Sequence, residues 1–449
     1  MLQTIKSENV HIHFLADLNL NSNFVGDKTY KDNPKSLKYM MNKFRIFLWT
    51  FATVCLFSAC EEEKASHWYD SEELLSFDVS TLDNKEYEIK LSDLMESVEI
   101  VQLDNSTEEA YTGIFKLGIS DNYLVTSTPQ NIPVKLFSRK DGRFIRNIGT
   151  KGQGPGEYRT IWNIMIDEKQ ERIHLGGPSS DKIFTYDLDG KYHAEETINL
   201  PRGVRNKYVM YLEKEGNRAF VFNRPCTLYE RGETRREGEK NTCWIQDLKG
   251  NIIDSIPLTN SLSLPRGSSD IWGSHVKEES SIYSLALRPV MYVRPDTLYH
   301  YNSSTNQLYP VYTPNTETAL NIFTTSVESP LHYYTIQGFY ERGRGINPEF
   351  LQEWKIIQVD KESAKGRYIR LVNDLLGDIE IVSYDFFQNI KDNYGYIIYD
   401  PLDLKDQLEE ALETNTEMSE EVRKRVVSMK NSLTEDDNDI LVICKFKSR

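Results

Sequence analysis

Short apolar segments separated by polar turns dominate the pattern of hydrophobic and polar positions beyond residue 100. Four units share one plan, which is an apolar strand, a polar turn containing glycine, and a second apolar strand. They cover residues 135–149, 182–192, 243–252 and 364–370. Glycine accepts the positive φ angles at which two strands reverse, so each unit is predicted to be a β-hairpin. The segments lack the 3.6-residue apolar periodicity of helical repeats.

The spacing of the turns indicates a repeated unit. The glycines of the four units, Gly142, Gly190, Gly250 and Gly366, lie 48, 60 and 116 residues apart. The last interval is about twice the others, and residues 292–313 supply a degenerate unit within it. One antiparallel unit per roughly 50–60 residues is typical of a propeller blade with loop insertions. The strands do not alternate with helices, which argues against an α/β fold.

The two ends of this region are predicted to meet. A strand near Val98–Gln102 and a strand at Ile440–Lys445 have the apolar composition of paired strands. Pairing them would close the ring and remove two sheet edges. We therefore predict an all-β fold, a six-bladed β-propeller that covers residues 75–449 and carries a small C-terminal helical insertion.

The helical insertion is predicted at residues 402–413 and 417–432. In the second segment, Val422, Val426 and Met429 fall on one face at helical spacing. We interpret the pair as an insertion packed on the last blade. The alternative is an arm that docks a partner.

An export signal precedes the propeller region. Lys43 and Arg45 are followed by a 14-residue apolar run at residues 46–59. This run has signal-peptide length and is shorter than the roughly 20 residues needed to span a bilayer. Residues 56–60 resemble a bacterial lipobox. The resemblance implies that Cys60 is lipidated and becomes the first residue of the mature protein.

These signals divide the chain into four parts. Residues 1–40 are polar and unpatterned, and we interpret them as an extension of the gene model; residues 41–59 form the signal peptide, and residues 60–74 a tether. The run Glu61-Glu62-Glu63 resembles a tag that sends some Gram-negative lipoproteins to the cell surface, but it also fits a solvated tether. We therefore predict an outer membrane lipoprotein on either the cell surface or the periplasmic face.

One stretch resembles a known family. Residues 148–190 contain the loop Gly152-Gln-Gly-Pro-Gly156 and three apolar segments, at residues 163–167, 172–175 and 181–187. They resemble an NHL-type repeat and, more closely, bacterial lipoproteins with six-bladed propellers. Residues 436–447 are similar to the closing strand of that family. The resemblance implies the fold, and members of the family largely lack an assigned activity.

Charge and motifs narrow the classes of function. The formal net charge is −15, so an acidic surface would repel nucleic acid. The glycine-rich loop at residues 152–156 lacks the spacing of a phosphate cradle and is interpreted as an inter-blade loop. The sequence has none of the common hydrolase, zinc or thiol-redox motifs. No cofactor or metal site is predicted, and an enzyme is the less favoured class.

Aromatic and arginine side chains supply the candidate binding residues. Tyr333, Tyr334, Tyr340 and Arg342 could form a stacking platform for a sugar or an anchor for a protein, although packing of the aromatics is the default interpretation. Arg288 and Arg294 flank the degenerate blade and could line a central channel, or form ion pairs between blades.

Cys226 and Cys243 could form a disulfide. Residues 218–226 and 243–247 are predicted to be neighbouring strands, which would place the two cysteines near the base of one loop. An exported protein meets an oxidising compartment, which permits the bond. The alternative is two unpaired thiols.

Three functional hypotheses follow. The first is a membrane-tethered propeller that binds a ligand or partner, with glycan or peptide as the ligand class. The second is a propeller hydrolase, lactonase or lyase that uses a metal in the channel. The third is a scaffold subunit that binds another envelope protein. The fold cannot choose among them.

Overall fold

The computed structural model describes the chain from residue 74 onward, with internal gaps. The described residues are 74–128, 133–177, 181–201, 208–212, 218–223, 241–257, 269–275, 282–289, 297–316, 322–341, 351–382, 386–387, 389–391 and 393–448. The predicted extension, the signal peptide and Cys60 therefore lie outside them. Among the described residues, no helix is long and apolar enough to cross a membrane.

The described part of the chain begins with three strands that join later sheets. These are β1 (Leu75–Asp78), β2 (Glu86–Lys90) and β3 (Met95–Gln102). A single turn of helix, α1 (Leu91–Leu94), separates β2 from β3.

Four-stranded antiparallel sheets then follow one another along the chain. Blade 1 contains β4 (Lys116–Ile119), β5 (Tyr123–Ser127), β6 (Val134–Ser138) and β7 (Phe144–Ile148). The short parallel pair β8 (Thr150–Lys151) and β9 (Glu157–Tyr158) connects it to blade 2. Blade 2 contains β10 (Asn163–Asp167), β11 (Arg172–Gly176), β12 (Lys182–Asp187) and β13 (Ile198–Asn199).

The next three blades repeat the same order. Blade 3 contains β14 (Tyr208–Leu212), β15 (Arg218–Asn223), β16 (Asn241–Asp247) and β17 (Ile252–Pro257). Blade 4 contains β18 (Ser269–His275), β19 (Ile282–Pro289), β20 (Leu298–Asn302) and β21 (Gln307–Asn315). Blade 5 contains β22 (Ile322–Glu328), β23 (His332–Tyr340), β24 (Leu351–Asp360) and β25 (Gly366–Asn373), with β26 (Ile379–Glu380) paired to its last strand.

Blade 6 joins the two ends of the described chain. Its regular strands are β27 (Tyr394–Tyr399), β28 (Ile440–Phe446) and the N-terminal strand β3, which pairs antiparallel to β28 from Met95 to Gln102. The predicted pairing of Val98–Gln102 with Ile440–Lys445 is thus confirmed, as is the six-bladed propeller. Because β3 pairs with β28, the outer edge of β28 is hydrogen-bonded to another strand and is not exposed.

Hydrophobic contacts between neighbouring sheets form the core. Six clusters of buried apolar residues lie one between each pair of adjacent blades, and the cluster between blades 1 and 2 includes Val125, Ile148, Ile164 and Tyr186. The first strands of blades 1 to 4 contact each other in succession. Each sheet is therefore covered by neighbours on both faces, and the first strands lie nearest the axis.

The glycine turns of blades 1 to 3 pack closely on the preceding blade. Gly142, Gly190 and Gly250 have φ angles of 68°, 80° and 89° in the last hairpin of blades 1, 2 and 3. A Cβ atom on Gly142 would lie 2.0 Å from the carbonyl oxygen of Gln102, and one on Gly190 would lie 2.7 Å from that of Asn147. Both the conformation and the close approach therefore require glycine at these joints.

The fourth predicted turn differs in detail. Ala364, with φ of 54°, takes the left-handed conformation in blade 5, so the expectation for Gly366 was wrong. A Cβ on Gly366 would lie 2.3 Å from the Phe77 ring. The glycine at this position therefore makes room for the Phe77 side chain of β1.

Two N-terminal strands extend the rim of the ring. β1 pairs in parallel with β21, the outer strand of blade 4, and β2 pairs in parallel with β25, the outer strand of blade 5. The chain thus covers the outer edges of blades 4 and 5 before it enters blade 6, an arrangement that the sequence pattern did not indicate.

Two helices connect β27 to β28 in blade 6. They are α2 (Pro401–Thr414) and α3 (Glu420–Ser432). Asp400 and Ser419 cap their N-termini by accepting hydrogen bonds from backbone N–H groups. The cap at Ser419 explains why α3 starts after the predicted residue 417. Leu404, Leu408 and Val426 are buried in the cluster between blades 5 and 6, so the helices form a packed insertion, as interpreted.

Candidate functional site

The strand directions define two faces of the ring. We call one face of the ring the upper face. In each of blades 1 to 5, the first strand starts at this face, and the second and the outer strands end there. The hairpin turns between first and second strands, and between third and fourth strands, lie at the opposite, lower face. The long connection at residues 149–162 therefore crosses the upper face between blades 1 and 2.

Two aromatic residues occupy matching positions on the upper face. Phe115 immediately precedes the first strand of blade 1, and its backbone N–H donates to the carbonyl of Ser127. Trp162 immediately precedes the first strand of blade 2, and its backbone N–H donates to the carbonyl of Gly176. The same local hydrogen bond thus positions both rings, because each holds the entering chain against the end of the second strand.

The two rings are adjacent and exposed. Their centroids are 6.0 Å apart and their planes meet at 67°. Phe115 is 37% exposed and Trp162 36% exposed, whereas most large aromatics of the described chain are buried. The ammonium of Lys116 lies 5.1 Å from the centroid of the Phe115 ring. We call Phe115 and Trp162 the aromatic pair.

In the glycine-rich loop beside the aromatic pair, a side chain of the loop itself accepts the backbone hydrogen bonds. The Glu157 carboxylate accepts hydrogen bonds from the backbone N–H groups of Gln153 and Gly154, at 2.9 and 2.7 Å. Tyr158 ties the end of the loop to blade 1, because its hydroxyl accepts from Val134 N–H and donates to the Ile148 carbonyl. The loop is therefore a self-contained connection, in agreement with the inter-blade interpretation.

The predicted tyrosines do not form one platform. Tyr334 and Tyr340 are buried, with 0% and 6% exposure, so the packing interpretation holds for both and they cannot stack on a ligand. Tyr333 is partly exposed and stacks on Tyr312, with centroids 4.6 Å apart and planes 11° apart. The Lys361 ammonium lies 4.7 Å from the centroid of the Tyr333 ring on the lower face.

The side chains of the three predicted arginines are not among the described parts of the structure. Arg342 and Arg294 lie outside the described residues, and only the backbone of Arg288 is described, in β19. Their roles at a platform or in a channel stay predictions.

The structure describes one of the two cysteines that are predicted to form a disulfide. Cys243 is a free and fully buried thiol in the structure, while Cys226 lies outside the described residues. β15 and β16 are antiparallel neighbours as predicted, but the residue directly opposite Cys243 is Phe222. Burial raises the pKa of the Cys243 thiol. The disulfide stays a prediction, tested by counting free thiols.

A buried charged cluster joins blades 4 and 5 at the lower face. One Glu328 carboxylate oxygen lies 2.7 Å from His300 Nε2 and the other 2.5 Å from Lys361 Nζ. Burial would raise the pKa of Glu328, but the charges of Lys361 and His300, with their hydrogen bonds, outweigh it and hold that pKa below its ordinary range. We call these three residues the blade 4–5 latch.

A second polar cluster lies at the lower, outer part of blade 2. His193, Glu195 and Glu196 place potential metal-ligand atoms within 4.8 Å of one another. However, Arg172 binds the Glu196 carboxylate through two nitrogens, at 2.6 and 2.9 Å, and Asp187 lies 2.9 Å from His193 Nε2. These contacts satisfy the cluster internally and compete with a cation.

The aromatic pair could have been found from the repeats. Phe115 and Trp162 are 47 residues apart, and the glycine turns of the same two blades are 48 residues apart. An aromatic residue at one position of two successive units was thus a usable signal. It was missed because Phe115 lies before the first recognised hairpin.

The fold and the aromatic pair define a six-bladed propeller with an exposed aromatic site near its axis. The chain belongs to the family described as a domain of unknown function, DUF4934, whose model matches residues 74–445. No protein with a curated description matches the chain in sequence.

Two solved structures resemble the chain to different degrees. A Bacteroides fragilis protein described as exported is 16% identical, with a TM-score of 0.55 over 84% of this chain and 100% of that chain. A member of the DUF4221 family from Bacteroides vulgatus is 10% identical, with a TM-score of 0.45 over 79% and 98% of the two chains. The first likeness agrees with the propeller described above.

Proposed function

We propose that this protein is an exported binding propeller of the bacterial envelope that is anchored by a lipid at Cys60 and binds a glycan at the aromatic pair. The single observation that carries the binding role is the exposure of Phe115 and Trp162, side by side, at equivalent positions of two blades. Large apolar rings held in solvent near the axis of a ring are typical of a recognition surface.

The chemistry of the pair favours a sugar. The face of an aromatic ring is electron-rich, and the C–H groups on one side of a sugar ring are weakly positive and apolar. The two planes, inclined at 67°, offer such faces in two directions. A neutral ligand also suits an acidic chain, since a net charge of −15 would repel an anionic polymer.

Export and anchoring are supported by the sequence. The basic residues, the 14-residue apolar run and the lipobox-like ending precede Cys60, and a protein of similar fold is described as exported. If Cys60 is acylated, mass spectrometry of membrane-extracted protein should find acyl groups on Cys60 and no peptide from residues 1–59. An intact N-terminus upstream of Cys60 would contradict the anchor.

Binding is tested with an immobilised library of purified glycans. We expect wild-type protein to bind at least one glycan, and Trp162→Ala and Phe115→Ala each to weaken that binding about tenfold, since truncation of a central aromatic typically costs ~1–2 kcal/mol or more. Ile253→Ala is the matched control, because Ile253 is an apolar residue 57% exposed on the outer strand of blade 3.

The outcomes separate the hypotheses. Glycan binding that is unchanged in Trp162→Ala would move the site elsewhere. Binding to a parallel peptide library alone, lost in Trp162→Ala, would keep the site and overturn the ligand class. Binding to neither library would overturn the proposal.

A further inference from the structure

The N-terminal strand shows where the chain enters the ring. β1 pairs with the outer strand of blade 4, with Leu75 beside Tyr312 and Asp78 beside Asn315. The two strands are parallel, and β21 runs from the lower turn at Asn306 toward the upper face. The N-terminal end of β1 therefore points toward the lower face.

This entry point is far from the aromatic pair. Phe115 and Trp162 lie on the upper face between blades 1 and 2, whereas β1 lies on the rim of blade 4. In a ring of six blades, blade 4 is directly across the axis from blade 1. The entry point and the aromatic pair are thus separated both across the ring and between its two faces.

The lower turn of blade 4 has a distinctive composition. Its residues 303–306, Ser-Ser-Thr-Asn, carry no charge. Among the five outer hairpin turns that the structure describes, the corresponding turns of blades 1, 2, 3 and 5 all contain charged residues, including Asp141, Asp189, Lys249 and Glu362. Acidic side chains are repelled by anionic headgroups, and the lower turn of blade 4 carries none that would oppose contact with a membrane surface.

We infer that the lower end of blade 4 is the part of the propeller held toward the membrane, and that the aromatic pair is presented away from it. This inference rests on the lipid anchor of the proposed function. Thirteen residues separate Cys60 from Leu74, and an extended chain of that length spans at most about 45 Å. The tether thus limits how far the lower end of blade 4 can lie from the lipid, and the upper face is left open to a ligand in solution.

Energy transfer to lipid can test this orientation. The full-length lipidated protein is reconstituted into vesicles of phosphatidylethanolamine and phosphatidylglycerol that carry an acceptor dye on the headgroup. A donor dye is attached to Ser304→Cys in the lower turn of blade 4, or to Tyr111→Cys near the upper face, each in a Cys226→Ser background. Cys243 and Cys444 are buried, and burial raises the pKa of both thiols, so they react poorly with the dye.

The expected result is an energy transfer roughly twofold or more higher from position 304 than from position 111, because the tether limits how far blade 4 can move from the lipid. Equal transfer, or higher transfer from position 111, would overturn the inference while leaving the anchor intact. Flotation of the vesicles is the separate readout of the anchor. Protein that does not float with them, or Cys60→Ala that floats as well as wild type, would overturn the anchor and the inference with it.

Discussion

The lower and upper faces of the ring differ in what their side chains contact. On the lower face, charged groups are paired across blade boundaries. Glu328 of blade 5 binds His300 of blade 4 and also pairs with Lys361 of its own blade. Arg139 of blade 1 binds Glu99 of blade 6 through two nitrogens. On the upper face, the aromatic pair places apolar rings in solvent. The two faces thus differ in that ion pairs join blades at the lower face, whereas two apolar rings are exposed at the upper face.

Loop length accounts for part of this difference. The lower turns are short hairpins, such as residues 120–122, and place their side chains at fixed positions against the next blade. The upper connections cross from the outer strand of one blade to the first strand of the next, as residues 149–162 do. Longer connections on a rigid scaffold commonly carry binding residues.

The largest expected effect is on the blade 4–5 latch. Glu328→Ala should lower the free energy of unfolding by about 3 kcal/mol, because it leaves the partly buried Lys361 ammonium without its carboxylate. Urea denaturation followed by circular dichroism measures the change. The control is Glu420→Gln, which breaks an exposed pair with Lys424 and should cost at most ~0.5 kcal/mol. Equal effects of the two variants would contradict the stabilising role of the latch.

Acid should weaken the latch in a defined direction. The pKa of Glu328 lies below its ordinary value of 4.5 in the folded state. Its carboxylate therefore stabilises the fold above that pH, and the contribution is lost as the pH falls through the folded-state pKa. We expect the difference in unfolding free energy between wild type and Glu328→Gln to be full at neutral pH and to shrink below pH 4.5. A difference that grew on acidification would contradict this assignment.

The smallest expected effect on stability is at the aromatic pair. Trp162→Ala should lower the free energy of unfolding by about 1–2 kcal/mol, because the side chain is 36% exposed and only part of its surface is buried before it is truncated. Trp244→Ala is the matched control, since Trp244 is fully buried and its truncation should cost about 3–5 kcal/mol. A loss in Trp162→Ala as large as that in Trp244→Ala would show that the upper ring supports the fold instead.

Much of the fold could be predicted because its signals are local. The turns at Gly142, Gly190 and Gly250 are hairpins with positive φ, as expected for glycine where strands reverse. The helices were predicted within three residues at each end, because capping and apolar spacing lie within the segments themselves. The degenerate unit at residues 292–313 corresponds to the hairpin of β20 and β21.

Burial was harder to predict than strand position. His174 lies between Ile173 and Leu175 in β11, and strict alternation places its side chain on the face opposite to theirs. The structure buries it at 6% exposure, with Nδ1 3.0 Å from Thr185 Oγ1. Burial lowers the pKa of His174 to about 4. Alternation does not lead to exposure here because a propeller sheet packs against a neighbouring sheet on each face.

The candidate site depended almost wholly on tertiary contacts. Tyr334 and Tyr340 belong to an aromatic segment, but their strand lies inside blade 5, where both side chains are covered. The angle and the separation of Phe115 and Trp162 depend on how two blades pack, and so does the contact of Glu328 with His300 in the blade 4–5 latch. No local pattern records the distance between residues of different blades.

The sequence by itself determined the repeated hairpins, three of their four glycine turns, the closing pair of strands and the two helices, because each depends on neighbours within a few residues or on one repeated period. Only the tertiary structure decided that β1 and β2 extend blades 4 and 5, that His174 is buried, and that two exposed rings meet on the upper face. These features arise from contacts between blades, whose energies depend on the packing of surfaces distant in the chain.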